Sequence, residues 1–409
     1  MKNKPKYSIM IPVNNVINYL PGTIDSVISQ DYDNYELIIS DDSSIDGTAE
    51  YVDTLSHPAI RVIHTPRRMT TSEHFDWVLT HAKGEWCIFV GGDDGLQPYF
   101  FTLADKLTDI ATTKNIRAIA SRRAYFFWNG CQPVYGDVAV SYSAEKKVYV
   151  CNSKKEALKA LCKKKDYFEL SQMYTTSLFH TSLIDDIRKK QAGRFLAYEI
   201  ADANMAALST IYEKQYLQCE IPIGWVGTSP KTFHLNENFA DLVTKDMPKI
   251  CGDYRLDSLS LYFWGALNKV VQFRPECKTY FTDENFVKKM IPYIYLDFMQ
   301  INNFVKSDKY KYFIELLKAN DLDLSKVTAK AKQIKCFEKI KNCTIKILVF
   351  PWRCFRYVLK RIPWIKRCFL SKFYIEFAWS DYPDMTYSKA QRIIQEFVKD
   401  KINFTDINL

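Results

Sequence analysis

The chain has 409 residues, of which 47% are hydrophobic and 25% are charged, and its formal net charge is +9. This balance excludes a disordered protein, and the length is sufficient for two domains with separate cores. The 11 cysteines are scattered, without a CxxC pair, and so give neither zinc-ligand spacing nor a disulfide framework. We expect reduced, packed thiols in a cytoplasmic protein.

Neither a secretion signal nor a membrane span is predicted. The N-terminal stretch MKNKPKYS carries no apolar segment before the first strand pattern. No window reaches about 18 uninterrupted apolar residues, which is the length that a transmembrane helix needs.

The first hundred residues alternate between strand patterns and helix patterns. Short apolar or β-branched runs predict strands at residues 7–13, 36–40, 60–64 and 87–90. Helical spacing predicts helices at residues 19–30, 46–55 and 74–82. This alternation predicts a mostly parallel α/β sheet, in which ligands bind beyond the carboxyl ends of the strands.

Three of the predicted strands end in polar residues. Asn14 follows the first strand, Asp41 and Asp42 follow the second, and Asp93 and Asp94 follow the fourth. Adjacent carboxylates repel each other unless a cation lies between them, and hard oxygen ligands suit Mg²⁺ or Mn²⁺. The alternative for the last pair is an Asp-Asp-Gly surface turn with solvated charges.

Several common phosphate-binding and catalytic motifs are absent from the sequence. It contains no GxGxxG after the first strand, no GxxxxGK[ST] and no Gly-x-Ser-x-Gly. Acidic strand ends instead favour a nucleotide diphosphate held through a metal and its ribose.

Three segments, in this order and spacing, resemble the nucleotide-sugar-binding half of family 2 glycosyltransferases: YSIMIPVNN, SVISQDYDNYELIISDDSSIDGT and HAKGEWCIFVGGDDGLQP. The resemblance covers about residues 6–110 and, more faintly, 170–235. It implies a GT-A fold and an inverting sugar transfer from a nucleotide-diphosphate sugar to an acceptor hydroxyl. It also implies nucleotide-sugar binding by Pro12, Val13, Asn14, Asp41 and the adjacent Asp42.

The same resemblance assigns Asp93 and Asp94 to the later positions of the family's Asp-x-Asp element. That element binds ribose and a metal, so we expect Asp93 at the nucleotide sugar and both acids at Mn²⁺ or Mg²⁺. Gly91 or Gly92 stands where the first acid of the pattern is usual, and Asn14 replaces an aromatic residue.

Further along the chain, two segments carry candidate catalytic and phosphate-binding residues. Asp202 precedes a predicted helix, where the resemblance implies a catalytic base with Glu199 as the second choice. The alternative is an acid that the helix dipole favours. Residues 221–235 predict a flexible loop in which Lys231 or His234 meets the diphosphate, or else an ordinary surface loop.

The predicted organisation is a GT-A domain at residues 1–240 and a mainly helical region at residues 241–409. Helical patterns fall at residues 253–273, 284–305, 308–319 and 386–401. Between the last two patterns, residues 330–373 interleave Lys and Arg with aromatic and aliphatic residues. This pattern predicts a surface that lies on an anionic membrane. A solvated helix pair and a nucleic-acid surface are the alternatives, and we expect no nucleic acid.

These expectations combine into a peripheral enzyme at the cytoplasmic face of the plasma membrane. It would transfer one sugar to a glycan or lipid-linked glycan, because both membrane spans and the processive-synthase Gln-x-x-Arg-Trp signature are absent from the sequence. The rival functions are a non-catalytic nucleotide-sugar or carbohydrate-binding protein and a nucleotidyltransferase. The second would need a glycine-rich basic loop after the first strand.

Overall fold

The structure is a computed structural model that describes residues 4–231, 258–277, 281, 284–299, 304–306, 308–337, 339–340 and 374–399. Its strands are β1 (Tyr7–Val13), β2 (Tyr35–Asp41), β3 (Ile60–His64), β4 (Trp86–Phe89), β5 (Gly95–Leu96), β6 (Ala118–Ser121), β7 (Ala124–Phe127), β8 (Val138–Ser143), β9 (Val148–Asn152), β10 (Ser177–His180), β11 (Gln215–Cys219), β12 (Gly224–Thr228) and β13 (Tyr374–Ala378).

The helices of the N-terminal half are α1 (Leu20–Ile28), α2 (Thr48–Asp53), α3 (Thr71–Thr80), α4 (Phe100–Thr113), α5 (Gln132–Tyr135), α6 (Ser153–Leu161), α7 (Thr181–Lys190) and α8 (Ala201–Tyr212). The predicted α/β class is confirmed. The first four strands and the three helices between them each begin and end within three residues of their predicted limits.

Eight strands form the main sheet, in the order β3-β2-β1-β4-β10-β6-β11-β9. β1 runs parallel to both β2 and β4, and Val13 is paired with Asp41. The apolar residues of β1 and β2 are buried, as the continuous runs predict for strands covered on both faces. The carboxyl ends of these three strands therefore lie at one edge of the sheet.

Helix α3 begins earlier than the apolar spacing predicts because of its N-terminal capping. Thr70 and Glu73 form a capping box, in which each side chain bonds to the backbone N–H of the other residue. This arrangement satisfies two N–H groups at the helix start and adds a turn before the apolar residues.

A second sheet has the order β13-β8-β7-β12-β5. Its strand β12 corrects the prediction of a flexible loop at residues 221–235, because Gly224–Thr228 are all buried. Two glycines in this strand allow close backbone packing. A Cβ at Gly224 would collide with the carbonyl of Thr175, and one at Gly227 would collide with the carbonyl of Asp93.

The C-terminal region is only partly the helical unit that the sequence predicts. Helices Leu259–Val270, Glu284–Phe298 and Asp308–Ala319 are present, and residues 324–337 are also helical. Strand β13, however, joins the second sheet by pairing with β8. The predicted domain boundary at residue 240 falls outside the described residues and stays a prediction.

The last described helix, Tyr387–Lys399, also packs on the N-terminal half. Tyr387 is buried against the rings of Phe126, Trp128 and Trp225, and a Cβ at Gly95 would collide with its hydroxyl. Gln391 donates to the carbonyl of Leu96 at 2.6 Å. The C-terminus thus contributes to the core behind the Asp93–Asp94 turn.

Of the basic stretch 330–373, the structure describes residues 330–337 and 339–340. Phe337 and Ile340 are exposed there, with 70% and 58% of their surface accessible, among exposed lysines. Within the described ranges, no helix combines the length and the apolar character needed to cross a bilayer. Seven described cysteines are free thiols, and all but Cys336 are buried.

Candidate functional site

The ends of β1, β2 and β4 meet at one edge of the main sheet. The backbone turn after β4 approaches the end of β1 so closely that a Cβ at Gly92 would lie 2.7 Å from Val16 and 3.3 Å from Val13. Thr23 of α1 donates its hydroxyl to the carbonyls of Gly92, at 3.0 Å, and Asp94, at 2.6 Å. The turn is therefore fixed against the first strand.

Asp41 presents an unsatisfied carboxylate oxygen at this edge. The side chain is 2% exposed, and its Oδ2 accepts from the backbone N–H of Ser44 at 3.3 Å and lies 3.5 Å from His64 Nδ1. Within the described residues, the buried Oδ1 has no hydrogen-bond donor. A buried acceptor without a partner is costly, so this oxygen suits an N–H donor from a ligand.

The carboxylate of Asp42 is bound by protein groups. Its Oδ1 accepts from Thr65 Oγ1 at 2.8 Å and from Met69 N at 3.0 Å, and its Oδ2 accepts from Arg68 Nη1 at 2.5 Å. The carboxylate is thus occupied by the chain segment that follows β3. Asp42 thus holds that loop, its part in nucleotide-sugar binding stays a prediction, and Asp41 is the acid with the unpaired oxygen.

The first-strand residues line the same edge, mainly through backbone. Val13 is buried and its carbonyl accepts from Asp42 N at 2.9 Å, while Pro12 precedes it in β1 and is half-buried. Asn14 Nδ2 donates to the carbonyl of Asp42 at 2.8 Å. Asn14 therefore joins the two strand ends.

Asp93 and Asp94 have different environments although they are neighbours. Asp94 is buried, and its carboxylate accepts from Gly227 N at 2.7 Å, Gly91 N at 3.0 Å and Thr175 Oγ1 at 2.5 Å. This carboxylate joins the turn to β12, and metal binding by Asp94 stays a prediction.

Asp93 is only half-buried, and Trp128 Nε1 fixes its carbonyl at 2.9 Å. Desolvation and the neighbouring charge of Asp94 raise the pKa of the Asp93 carboxyl. Hydrogen bonds from the side chain and the backbone of Ser229 act in the opposite direction on this pKa.

The residues fit a metal that is shared with a substrate, not one enclosed by protein. No group of three or more His, Cys, Asp or Glu side chains among the described residues has metal-binding geometry. Mg²⁺ commonly keeps several waters and takes one or two carboxylates together with substrate phosphates. Of the two acids in this turn, Asp93 has the less buried side chain.

Next to the turn lies an irregular segment that the sequence does not predict. Regular strand pairing starts only at Ser177, and just before it Met173 and Thr175 have φ values of +49° and +45°. A positive φ is unfavourable for a β-branched residue. The segment directs the Thr175 hydroxyl to Asp94 and places Tyr174 beside Gly91.

Asp202 lies in the first turn of α8, as predicted. Its Oδ2 accepts from the hydroxyl of Tyr167 at 3.1 Å and its Oδ1 from the N–H of Ala203 at 2.7 Å. Burial raises the pKa of this carboxyl, while Tyr167 and Arg123 act in the opposite direction. A raised pKa suits a general base, because it makes the carboxylate a better proton acceptor.

Two residues that the sequence analysis missed interact with both Asp202 and the Asp93–Asp94 turn. Tyr174 interacts electrostatically with all three acids, and Arg123 interacts with Asp94 and Asp202. Arg123 also lies over the ring of Phe168, and its buried Nε has no acceptor within the described residues. An arginine that precedes a strand has no local sequence signal, so only the fold reveals this placement.

The remaining predicted residues lie at the margins of the site or outside the described residues. Glu199 is half-buried, and its carbonyl accepts from Ser72 Oγ at 3.1 Å. Lys231 donates to the carbonyl of Asn15 and lies 3.7 Å from Asp46, above the loop that follows β1. His234 lies outside the described residues.

Residues 8–119 match the family model described as Glycosyl transferase family 2. Glycosyltransferase GlyA of Streptococcus pneumoniae is 31% identical over 106 residues, which are 25% of this chain and 15% of that protein. WcaA of Escherichia coli, named as a colanic acid biosynthesis glycosyl transferase, is 34% identical over 100 residues, or 24% and 36% of the two chains. The chain thus spans well under half the length of these relatives.

Among solved structures, S. aureus TarS 1–349 in complex with UDP-GlcNAc has 13% sequence identity and a TM-score of 0.44. The superposition covers 77% of this chain and 90% of that one. The family match at residues 8–119 confirms the resemblance seen in the sequence and, together with the observed sheet, the expected GT-A class of fold.

Proposed function

We propose that this chain, whose residues 8–119 are those of a family 2 glycosyl transferase, transfers a single sugar from a nucleotide-diphosphate sugar to an acceptor hydroxyl. The observation that carries the proposal is the unsatisfied Oδ1 of Asp41 at the carboxyl edge of parallel strands. Ligands of such sheets bind at this edge, and a nucleobase supplies the missing N–H donor.

The proposed donor lies between Asp41 and Asp93. The base is held by Asp41 next to Val13 and Asn14, and the diphosphate extends toward the turn after β4. A divalent cation, Mn²⁺ or Mg²⁺, held by Asp93 would stabilise the charge on the leaving diphosphate. Lys231, which lies above the loop after β1, supplies a positive charge at the same end.

The proposed base is Asp202, which interacts electrostatically with Tyr174 and Arg123, as the Asp93–Asp94 turn does. Its carboxylate accepts the proton of the acceptor hydroxyl while that oxygen attacks the anomeric carbon from the side opposite the diphosphate. One base and one displacement invert the anomeric configuration. Tyr167 fixes one carboxylate oxygen at 3.1 Å and so orients the group.

The proposed acceptor is a glycan, and a lipid-linked glycan fits the C-terminal surface best. Exposed Phe337 and Ile340 lie among exposed lysines at the start of the basic stretch. Apolar side chains surrounded by Lys favour the interface of an anionic membrane. We therefore place the protein peripherally at the cytoplasmic membrane surface.

Calorimetric titration with nucleoside diphosphates, in the presence of Mn²⁺, tests the donor site. Removing a hydrogen bond to a charged acceptor costs about 1.5–3 kcal/mol, so Asp41→Ala should weaken binding about 10- to 150-fold. Asp109→Ala, on the exposed side of α4, is the matched control and should bind as the parent does. Equal affinity of parent and Asp41→Ala would refute the donor assignment.

The rival function, a binding protein without catalysis, is favoured by the two glycines that precede Asp93. It predicts nucleotide-sugar binding without release of nucleoside diphosphate, even when an acceptor is present. The same titrated protein, incubated with donor and acceptor, separates the two functions.

A further inference from the structure

The loop that leads into α8 is held in place by side chains of α3. Asp76 Oδ1 accepts from the backbone N–H groups of Phe195, at 3.0 Å, and Leu196, at 3.2 Å. Four residues earlier on the same helix, Ser72 Oγ donates to the carbonyl of Tyr198 at 2.7 Å. Residues at this spacing share one face of a helix, so α3 presents an acceptor and a donor to a single loop.

Two further side chains bind this loop. Asn204 Oδ1 of α8 accepts from Ala197 N at 2.9 Å, and Gln191 Nε2, just after α7, donates to the carbonyl of Phe195 at 2.8 Å. Consecutive peptide groups of the loop are thus fixed by side chains from several elements. The position of this loop therefore depends on the position of α3, and the loop leads directly into the start of α8, where Asp202 lies.

The start of α3 is in turn attached to the nucleotide edge of the sheet. Asp42 binds Thr65, Arg68 and Met69 directly before the capping box of α3. Asp42 is also the neighbour of Asp41, whose unpaired Oδ1 marks the proposed donor site. A continuous series of hydrogen bonds therefore runs from the end of β2, through α3, to the loop before Asp202.

We propose that Asp76 and Ser72 are positioning residues that fix Asp202 relative to a donor bound at Asp41. The inference rests on the proposed function, because it takes Asp202 as the base. Neither side chain is needed to hold the donor, since their contacts are with the loop 195–199. Their loss should therefore affect turnover and leave donor binding unchanged.

The test compares steady-state kinetics of Asp76→Ala and Asp76→Asn with the parent, using a nucleotide-sugar donor. Asp76→Ala leaves two N–H groups without an acceptor, and kcat should fall about 10- to 100-fold, since a shift of about 1 Å in a reacting group has that effect. The donor KM and the affinity for nucleoside diphosphate should stay within about twofold of the parent. Asp76→Asn keeps Oδ1 as an acceptor and should recover most of kcat.

Thr80→Ala is the matched control, because this hydroxyl bonds within α3, to the carbonyl of Trp77 at 2.6 Å, and to His81 next to it. It should have the kcat of the parent. Ser72→Ala provides a second, milder variant and should lower kcat in the same direction, again with an unchanged donor KM. Hydrogen exchange of the 195–199 amides should be faster in Asp76→Ala and unchanged in Asp76→Asn.

An unchanged kcat in both Asp76→Ala and Ser72→Ala would overturn the inference. So would an equal loss of donor affinity and turnover, which would indicate a general defect of the fold. Failure of the proposed function has a different signature, because the parent itself would then show no sugar transfer with any donor.

Discussion

The adjacent acids Asp93 and Asp94 provide a sharp test, because the structure gives them different environments. Asp94→Ala removes the acceptor of three donors: the N–H groups of Gly91 and Gly227 and the hydroxyl of Thr175. Asp93→Ala removes a half-buried carboxylate that is repelled by Asp94. We expect the first variant to lose stability and the second to lose metal-dependent nucleotide binding.

The size of the stability loss follows from the three donors left without a partner. Each buried donor without a partner costs about 1–3 kcal/mol, and partial rearrangement reduces the sum, so we expect about 3–5 kcal/mol for Asp94→Ala. At about 2–4 °C per kcal/mol, the melting temperature should fall by about 6–20 °C.

Asp93→Ala should cost less. Desolvation and the charge of Asp94 raise the folded-state pKa of Asp93, so its ionised form opposes folding above that pKa, and removing the carboxylate should lower the melting temperature less than Asp94→Ala does at neutral pH without metal.

Differential scanning fluorimetry of both variants, with a nucleoside diphosphate and with or without Mn²⁺, measures both effects. Asp93→Ala should lose the additional stabilisation that Mn²⁺ gives to the nucleotide-bound parent, while Asp94→Ala should start from a lower melting temperature. The reasoning is refuted if Asp94→Ala melts like the parent, or if Asp93→Ala keeps the full Mn²⁺ effect.

Three further predictions follow from other parts of the molecule. Burial raises the pKa of Asp202, so on acidification kcat should begin to fall at a pH above the ordinary titration range of an aspartate. Asp202→Asn should lower turnover about 10²- to 10⁴-fold and abolish this acidic limb of the pH profile. Tyr387→Ala should cost about 3–5 kcal/mol in chemical denaturation, because it empties a site among Phe126, Trp128 and Trp225, whereas Tyr387→Phe should cost little. Changing Lys330, Lys332, Lys335 and Lys339 to Gln should weaken co-sedimentation with anionic vesicles by about 1 kcal/mol per residue near the surface, and equal binding of the parent to neutral vesicles would contradict the membrane proposal.

The sequence predicts the first half of the sheet well because its signals are local. The apolar runs of β1, β2 and β4 are strands covered on both faces, and the polar residues after them mark the edge where the site lies. Periodicity, chain order and the rule for parallel sheets are sufficient to bring Asn14, Asp41 and Asp93 together.

The same patterns cannot separate Asp41 from Asp42, or Asp93 from Asp94. Which carboxylate is bound by protein groups depends on hydrogen-bond donors far along the chain, such as Met69 for Asp42 and Gly227 for Asp94. Such partners become visible only when the chain is folded.

Two further features depend on contacts between distant parts of the chain, so local sequence patterns do not predict them. The composition around Gly224 and Gly227 predicts a flexible loop. Both glycines instead lie in β12, where the absence of a side chain allows close packing against the backbones of Thr175 and Asp93. The packing of residues 374–399 on the second sheet depends on contacts such as that of Gln391 with Leu96, which are almost three hundred residues apart in sequence.

The most direct test of the central proposal is release of nucleoside diphosphate from a panel of nucleotide sugars, with Mn²⁺ and a lipid-linked glycan acceptor. The account predicts that one donor supports acceptor-dependent release by the parent, and that Asp41→Ala and Asp202→Asn lose it for different reasons. The first variant should have a raised donor KM, and the second should have a lowered kcat with intact donor binding. Release that is independent of acceptor, or unaffected by either substitution, would contradict the assignment of this edge of the sheet as a sugar-transfer site.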